Sequence, residues 1–208
     1  MPVDFLLDRA RRVLLHEDTA FDPVVRRWIS AAHIAGEPIG LREGVRWLQM
    51  ESGNGCRVPV AVIGPREAST SERRAAFEVG AGLAALGIAL LCGGKGGVME
   101  AACEGAASRD GVSIGLLPDP EPQAANPFVT IPLATGIGEA RNAIIARAAL
   151  ALVAIGSSYG TVSEIALGLQ FGRPVLSLLN SAPIAGTRAL TTVKDALDAV
   201  CRIVLALP

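Results

Sequence analysis

The sequence predicts an α/β fold, a doubly wound parallel sheet flanked by helices, and three observations lead there. Half of the 208 residues are hydrophobic while aromatics make up only 4%, so the interior must be built from Ala, Val, Ile and Leu. That composition suits a sheet buried on both faces by Ala-rich helices. From Val58 onward, β-rich apolar runs alternate with helical patterns, the signature of βαβ units with right-handed crossovers. Three of these runs end in glycine-bearing turns, at Gly64 and at residues 93–97 and 156–160. In a parallel sheet such turns gather at the carboxyl ends of the strands, where ligands bind.

Each element follows from its own signals. Residues 1–55 hold both histidines, both tryptophans and many arginines, and read as an N-terminal extension of helical or mixed structure. Asp22 as N-cap and Pro23 in the first turn predict a short helix over 24–35, and "GLREGVRWLQM" predicts a second amphipathic segment. Trp28 and Trp47 are assigned to packing. "ESGNG" at 51–55 is a turn, and residues 56–208 form the main domain. Its first strand is "VPVAVIG", followed by a helix through Leu86 that opens on an S-x-x-E capping box, Ser69 with Glu72. "IALLCGG", "VSIGLLP", "FVTIPLAT", "ALALVAIG" and "PVLSLL" are the further strands. "VMEAACEGAASRD", "GEARNAIIARAA", "TVSEIALGLQFG" and "TTVKDALDAVCRIV" are the further helices.

The formal net charge of −1 gives no electrostatic footprint for nucleic acid or an anionic membrane. No apolar run approaches the roughly 18 residues of a membrane span, and the opening residues lack a signal-peptide pattern, so a cytoplasmic protein is expected. Cys56, Cys92, Cys103 and Cys201 are scattered without a C-x-x-C pair, which predicts reduced thiols and no metal site.

The stretch "AIGSSYGTVSE" contains G-x-S-x-G, the pattern of a serine-hydrolase elbow at Ser158. It lacks partners, because His16 and His33 both lie far upstream and a Ser-Lys variant would have to recruit Lys95 or Lys194. "GGKGG" around Lys95 is not a P-loop, and Gly136-x-Gly138-x-x-Arg141 lacks the third glycine of a dinucleotide fingerprint. A simpler chemistry remains: backbone N–H groups at a helix N-terminus approach an anion, with hydroxyls of Ser157, Ser158 or Thr161 adding donors. Residues alone leave alternatives open. The glycines also suit tight βα turns, Thr161 to Glu164 also reads as a capping box, and Arg141 also suits an exposed helix.

Three motifs in order resemble the Lonely Guy-like Rossmann superfamily, which also carries a lysine decarboxylase label. They are "GGKGGVM", "GIGEARN" and "GSSYGTVSE", within a similarity over about residues 58–205. The branch with "GKGGVMEAA", "GEARN" and "YGTxSEIAL" resembles bacterial relatives of molybdenum cofactor carrier proteins. The resemblance implies a Rossmann-like sheet and one of two functions. Enzymes of the superfamily hydrolyse nucleoside 5′-monophosphates to base and ribose 5-phosphate, in which case Arg141 and Glu164 would be the catalytic pair. Carriers hold a pterin phosphate in a related cleft without turnover.

The binding residues implied are Gly64, Pro65 and Arg66 after the first strand of the main domain, then Gly93, Gly94, Lys95, Gly96, Gly97 and Met99 after the second. Arg141 with Asn142, and the turn Gly156, Ser157, Ser158, Tyr159, Gly160 and Thr161, complete the set. The ligand would be a nucleoside monophosphate or the molybdenum cofactor, with no cofactor needed for chemistry. A pyridoxal-dependent lysine decarboxylase is not supported, since only Lys95 and Lys194 exist to form a Schiff base. The chain departs from the hydrolases at Gly156-Ser157-Ser158, where they have Pro-Gly-Gly, and at Lys95 and Glu100, where they have small residues. These departures favour the carrier reading. The Ala-rich segment "EARNAIIARAALA" offers a smooth face for a homodimer.

Overall fold

The computed structural model describes residues 5–32, 35–179 and 181–207. They form two compact units, residues up to 57 together with 198–207, and residues 58–197.

The first unit is an antiparallel sheet. Its strands are β1 (Phe5–Asp8), β2 (Val13–His16), β3 (Thr19–Asp22), β4 (Arg27–Ser30) and β5 (Glu37–Ile39), in the order β4-β3-β2-β1-β5. The helix α1 (Leu41–Met50) contributes Val45, Trp47 and Leu48 to its core, as the amphipathic pattern predicted. The helix expected over 24–35 is not formed. Asp22 Oδ1 accepts the N–H groups of Val24 and Val25, at 2.8 and 3.2 Å, so the Asp-Pro signal opens a tight turn. Arg26 then takes a left-handed φ of 52°, which a helix cannot continue through, and Arg27–Ser30 pairs with β3. His33 and Ile34, the far part of that expected helix, lie outside the described residues. Trp28 packs against Phe5, His16 and Phe21, and its indole N–H donates to the Leu205 carbonyl at 2.7 Å.

The second unit carries the parallel sheet. In chain order its elements are β6 (Val60–Ile63), α2 (Thr70–Ala85), β7 (Leu90–Cys92), α3 (Val98–Ala107), β8 (Ser113–Leu117) and β9 (Ile131–Ala134). There follow α4 (Asn142–Ala148), β10 (Leu152–Ile155), α5 (Tyr159–Gln170), β11 (Val175–Leu178), β12 (Arg188–Ala189) and α6 (Val193–Val204), whose last turns belong to the first unit. The strand order is β12-β11-β10-β6-β7-β8-β9 with every pairing parallel. This is the expected Rossmann-like, doubly wound sheet. All six strands read from the sequence are present, and β12 adds a seventh. It is only two exposed residues long, too short to carry a period.

β6 and β10 are buried along their whole length because both faces are covered. Ile145 and Ala146 of α4 and Ile165 of α5 pack on Ala61, Ile63, Leu152 and Ala154. The helices α2 and α3 pack on each other so closely that a Cβ on Gly80 would lie 2.0 Å from the Ala102 carbonyl oxygen. The reversal in strand order falls between β6 and β10. Ligand crevices of open α/β sheets form at such a switch point, outside the strand carboxyl ends. Among the described residues no helix is long and apolar enough to cross a membrane.

Candidate binding cleft

A cleft of about 700 Å³ opens at that switch point. Its walls are the loop after β6, the loop after β10 and the segment entering α4. Volumes of this order suit a small molecule.

Glycine lets the two central strands converge. A Cβ on Gly64 would sit 2.4 Å from the Ile155 carbonyl oxygen and 2.7 Å from the Val98 side chain, so the end of β6 can touch both β10 and the start of α3 only without one. Gly156 has a φ of 70°, where other residues are strained, and its N–H donates to the Leu179 carbonyl at 2.9 Å. The Glu72 carboxylate, which closes the Ser69 capping box as predicted, lies directly under this turn.

The start of α5 faces the cleft. Its N-cap is Ser158, whose hydroxyl accepts the Thr161 N–H at 3.2 Å and hydrogen-bonds the Thr161 hydroxyl at 2.9 Å. The first N–H groups of any helix lack intrahelical acceptors, and here those of the Tyr159 and Gly160 turn adjoin the cleft. Ser158 is thus a cap, and no histidine stands beside it among the residues lining the cleft. The helix begins two residues before Thr161, so Glu164 lies inside it and the capping box read for Thr161 and Glu164 does not form. Tyr159 projects outward at 98% exposure.

Glu164 instead meets Arg141. Both are buried, at 6% and 4% exposure, and Arg141 Nη1 lies 3.3 Å from Glu164 Oε1. The same nitrogen donates to Asn142 Oδ1, and Asn142 Nδ2 donates to Ser163 Oγ at 2.9 Å. Arg141 Nη2 lies 3.9 Å from Glu139 Oε2, while Arg141 Nε is buried without a partner. Arg141 is therefore no exposed helix cation. Burial pushes the Glu164 carboxyl up to about 7, the Arg141 charge opposes that, and the Glu139 carboxylate adds to it.

The glycine-rich turn after β7 serves this pair from behind. A Cβ on Gly93 would be 2.5 Å from Arg141 Nη2, so Gly93 vacates the seat of the guanidinium. Met99 reaches the cleft from the first turn of α3, whose Val98 N–H donates to the Pro65 carbonyl at 3.1 Å. Gly93, Gly94, Lys95, Gly96, Gly97 and Gly156, all expected to contact the ligand, do not line the cleft. Lys95 Nζ donates to Asp119 Oδ2 and to the Ala124 carbonyl, both at 2.9 Å, and so holds the loop between β8 and β9. The Lys95 ammonium also keeps Asp119 below the usual carboxylate range.

Gly64, Pro65, Arg66, Met99, Arg141, Asn142, Ser157, Ser158, Tyr159, Gly160 and Thr161 are brought together as cleft residues, with Glu164 on its floor. Three further residues, Glu67, Glu139 and Ser163, share the lining without having been singled out from the sequence. Glu139 stands in the quoted motif "GIGEARN", where a carboxylate two residues before an arginine was the available signal. In this setting a carboxylate can stabilise positive charge on a ribose, and the arginine can hold an anionic or hydroxyl group.

Comparison with known proteins bears on the same region. Residues 57–200 match the model of the SLOG cluster4 family. An uncharacterized protein of Archaeoglobus fulgidus is 40% identical over 139 residues, covering 67% of this chain and 91% of that protein. Among solved structures, the molybdenum cofactor binding protein of the phototrophic bacterium Rippkaea orientalis is 29% identical with a TM-score of 0.68. The match covers 72% of this chain and 99% of that one. The Moco carrier protein of Chlamydomonas reinhardtii is 33% identical with a TM-score of 0.66, over 73% of this chain and 100% of its own. The motifs, the switch-point cleft and these matches agree, and the chain belongs to the SLOG cluster4 family of the Lonely Guy-like superfamily.

Proposed function

We propose that the protein binds a phosphorylated nucleotide or pterin cofactor in the switch-point cleft and holds it as a carrier holds cargo. One observation carries the reading: Arg141, a permanent cation buried to 4% exposure, lines the cleft together with the first turn of α5, whose N–H groups lack intrahelical acceptors, so a cation and a helix N-terminus converge on one anion-sized place. The names of the two structural relatives, a molybdenum cofactor binding protein and a Moco carrier protein, support the pterin phosphate as cargo.

Native mass spectrometry of the protein as purified is expected to show a bound small molecule, and inorganic phosphate is expected to raise its melting temperature. Gly160→Ala separates binding from folding. Its added methyl would meet nothing closer than Ser158 Oγ at 3.8 Å, so the ligand-free melting temperature holds while the phosphate effect falls. If phosphate has no effect on the unsubstituted protein, the loops serve only the fold.

A second reading, hydrolysis of nucleoside 5′-monophosphates, is favoured by Glu164, whose carboxyl is pushed up to about 7 beside Arg141. General acid–base groups work best near the ambient pH. Release of free base from a nucleotide panel would establish it, and binding without release would leave the carrier.

The protein is also proposed to form a homodimer through α4, where Ile144 stands 45% exposed on an Ala-rich helix. Light scattering is expected to give a mass near twice 21.4 kDa, and Ile144→Glu to shift it towards the monomer.

A further inference from the structure

At the mouth of the cleft one carboxylate engages two arginines. Glu139 Oε1 lies 3.2 Å from Arg66 Nη2, and Glu139 Oε2 lies 3.9 Å from Arg141 Nη2. Arg66 follows β6 and Arg141 ends the crossover from β9, so the carboxylate joins the two walls of the cleft. Arg141 and Glu164 form a fixed, buried pair, whereas Glu139 and Arg66 are 66% and 52% exposed at the side chain. An exposed pair of this kind is weak and is exchanged readily for another anion.

From this we infer that Glu139 is a specificity-determining gate, an internal anion that occupies Arg66 and Arg141 until the phosphate of the ligand displaces it. The inference rests on the phosphate-binding reading of the cleft. A carboxylate and a phosphate offer an arginine the same oxygen acceptors, and a phosphate dianion brings more charge and a third oxygen. A ligand must therefore outcompete one carboxylate to enter. Dianionic phosphate monoesters pass this test, and monoanionic carboxylates, which offer the arginines no more than Glu139 does, fail it. Glu139 sits in a short 3-10 turn, Gly138–Arg141, where its side chain can swing outward without moving the buried guanidinium.

The test compares inorganic phosphate and acetate binding to the unsubstituted protein, Glu139→Gln and a control, Glu78→Gln. Glu78 pairs with Arg74 on the exposed side of α2 and removes the same charge away from the cleft. Phosphate-dependent melting shifts and 31P line broadening are expected to give about threefold to fivefold tighter phosphate binding for Glu139→Gln. Acetate, too weak a competitor for the unsubstituted protein, should become detectable in that variant, and Glu78→Gln should change neither. If phosphate binds the unsubstituted protein but binds Glu139→Gln no more tightly, the gate is overturned while the cleft keeps its assignment. Should phosphate bind neither protein, the phosphate-binding reading itself fails and the gate with it.

Discussion

At pH 8 the Glu164→Gln protein is expected to be more stable than the unsubstituted one by up to about 3 kcal/mol, and the two are expected to converge as the pH falls towards 4.5. A carboxyl raised from 4.5 to about 7 by burial favours the folded state most when it is protonated. Its contribution is fully present below the unfolded value near 4.5 and is lost as the pH rises through 7. Glutamine keeps the shape of the neutral form at every pH, so the difference grows across that window. Urea midpoints at pH 5 and pH 8 check it, and a constant difference would contradict the burial of Glu164. The same variant separates the two functional readings. For a hydrolase, turnover should fall by roughly 100-fold or more with binding retained. For a carrier, cargo binding changes little and there is no turnover to lose. A simple helix cap would have predicted destabilisation at neutral pH.

Replacing Gly80 by valine is expected to cost about 3 kcal/mol or more and to lower the melting temperature by roughly 10 °C. The cause is geometric. A Cβ at Gly80 would fall 2.0 Å from the Ala102 carbonyl oxygen, and one at Gly105 would fall 2.0 Å from that of Phe77, so α2 and α3 touch backbone to backbone. Neither oxygen can withdraw without breaking its helix, and the helices would have to separate. Because α3 starts at the cleft with Met99 and follows the Gly93 seat of Arg141, ligand binding should fall with stability. Gly96→Ala is the matched control, since its Cβ would meet only a Glu100 carboxylate oxygen at 3.9 Å. Circular dichroism melts of both variants distinguish the close contact from a general intolerance of substituted glycines.

What the sequence made legible was local and periodic. The buried strands β6 and β10 announced themselves as apolar runs ending in glycine, and the topology of a parallel sheet then placed Gly64 and Gly156 at one edge. The first unit was not legible in the same way. Its strands are three or four residues long, and the Asp22-Pro23 signal serves a turn as well as a helix start. Pairings across distance were equally hidden. Lys95 looked like a phosphate contact because nothing in "GGKGG" points to Asp119, which takes its charge 24 residues later. Glu139 was not singled out within "GIGEARN", because only the crossover from β9 sets it between Arg66 and Arg141. Glu164 turned on where α5 begins, since a start at Tyr159 moves it from the cap to the buried face.

The first unit includes residues 198–207, so its core is discontinuous in the chain: Arg26 and Trp28 donate to the carbonyls of Ile203, Val204 and Leu205. A ribosome that has delivered β1 to β5 has delivered an incomplete object, in which the donors of Arg26 and Trp28 still lack the carbonyls of residues 203–205. The parallel sheet, though translated later, is contiguous and can close before the unit that precedes it. Completion of the first unit therefore requires residues 198–207, which follow the contiguous residues 58–197 of the second unit in the chain.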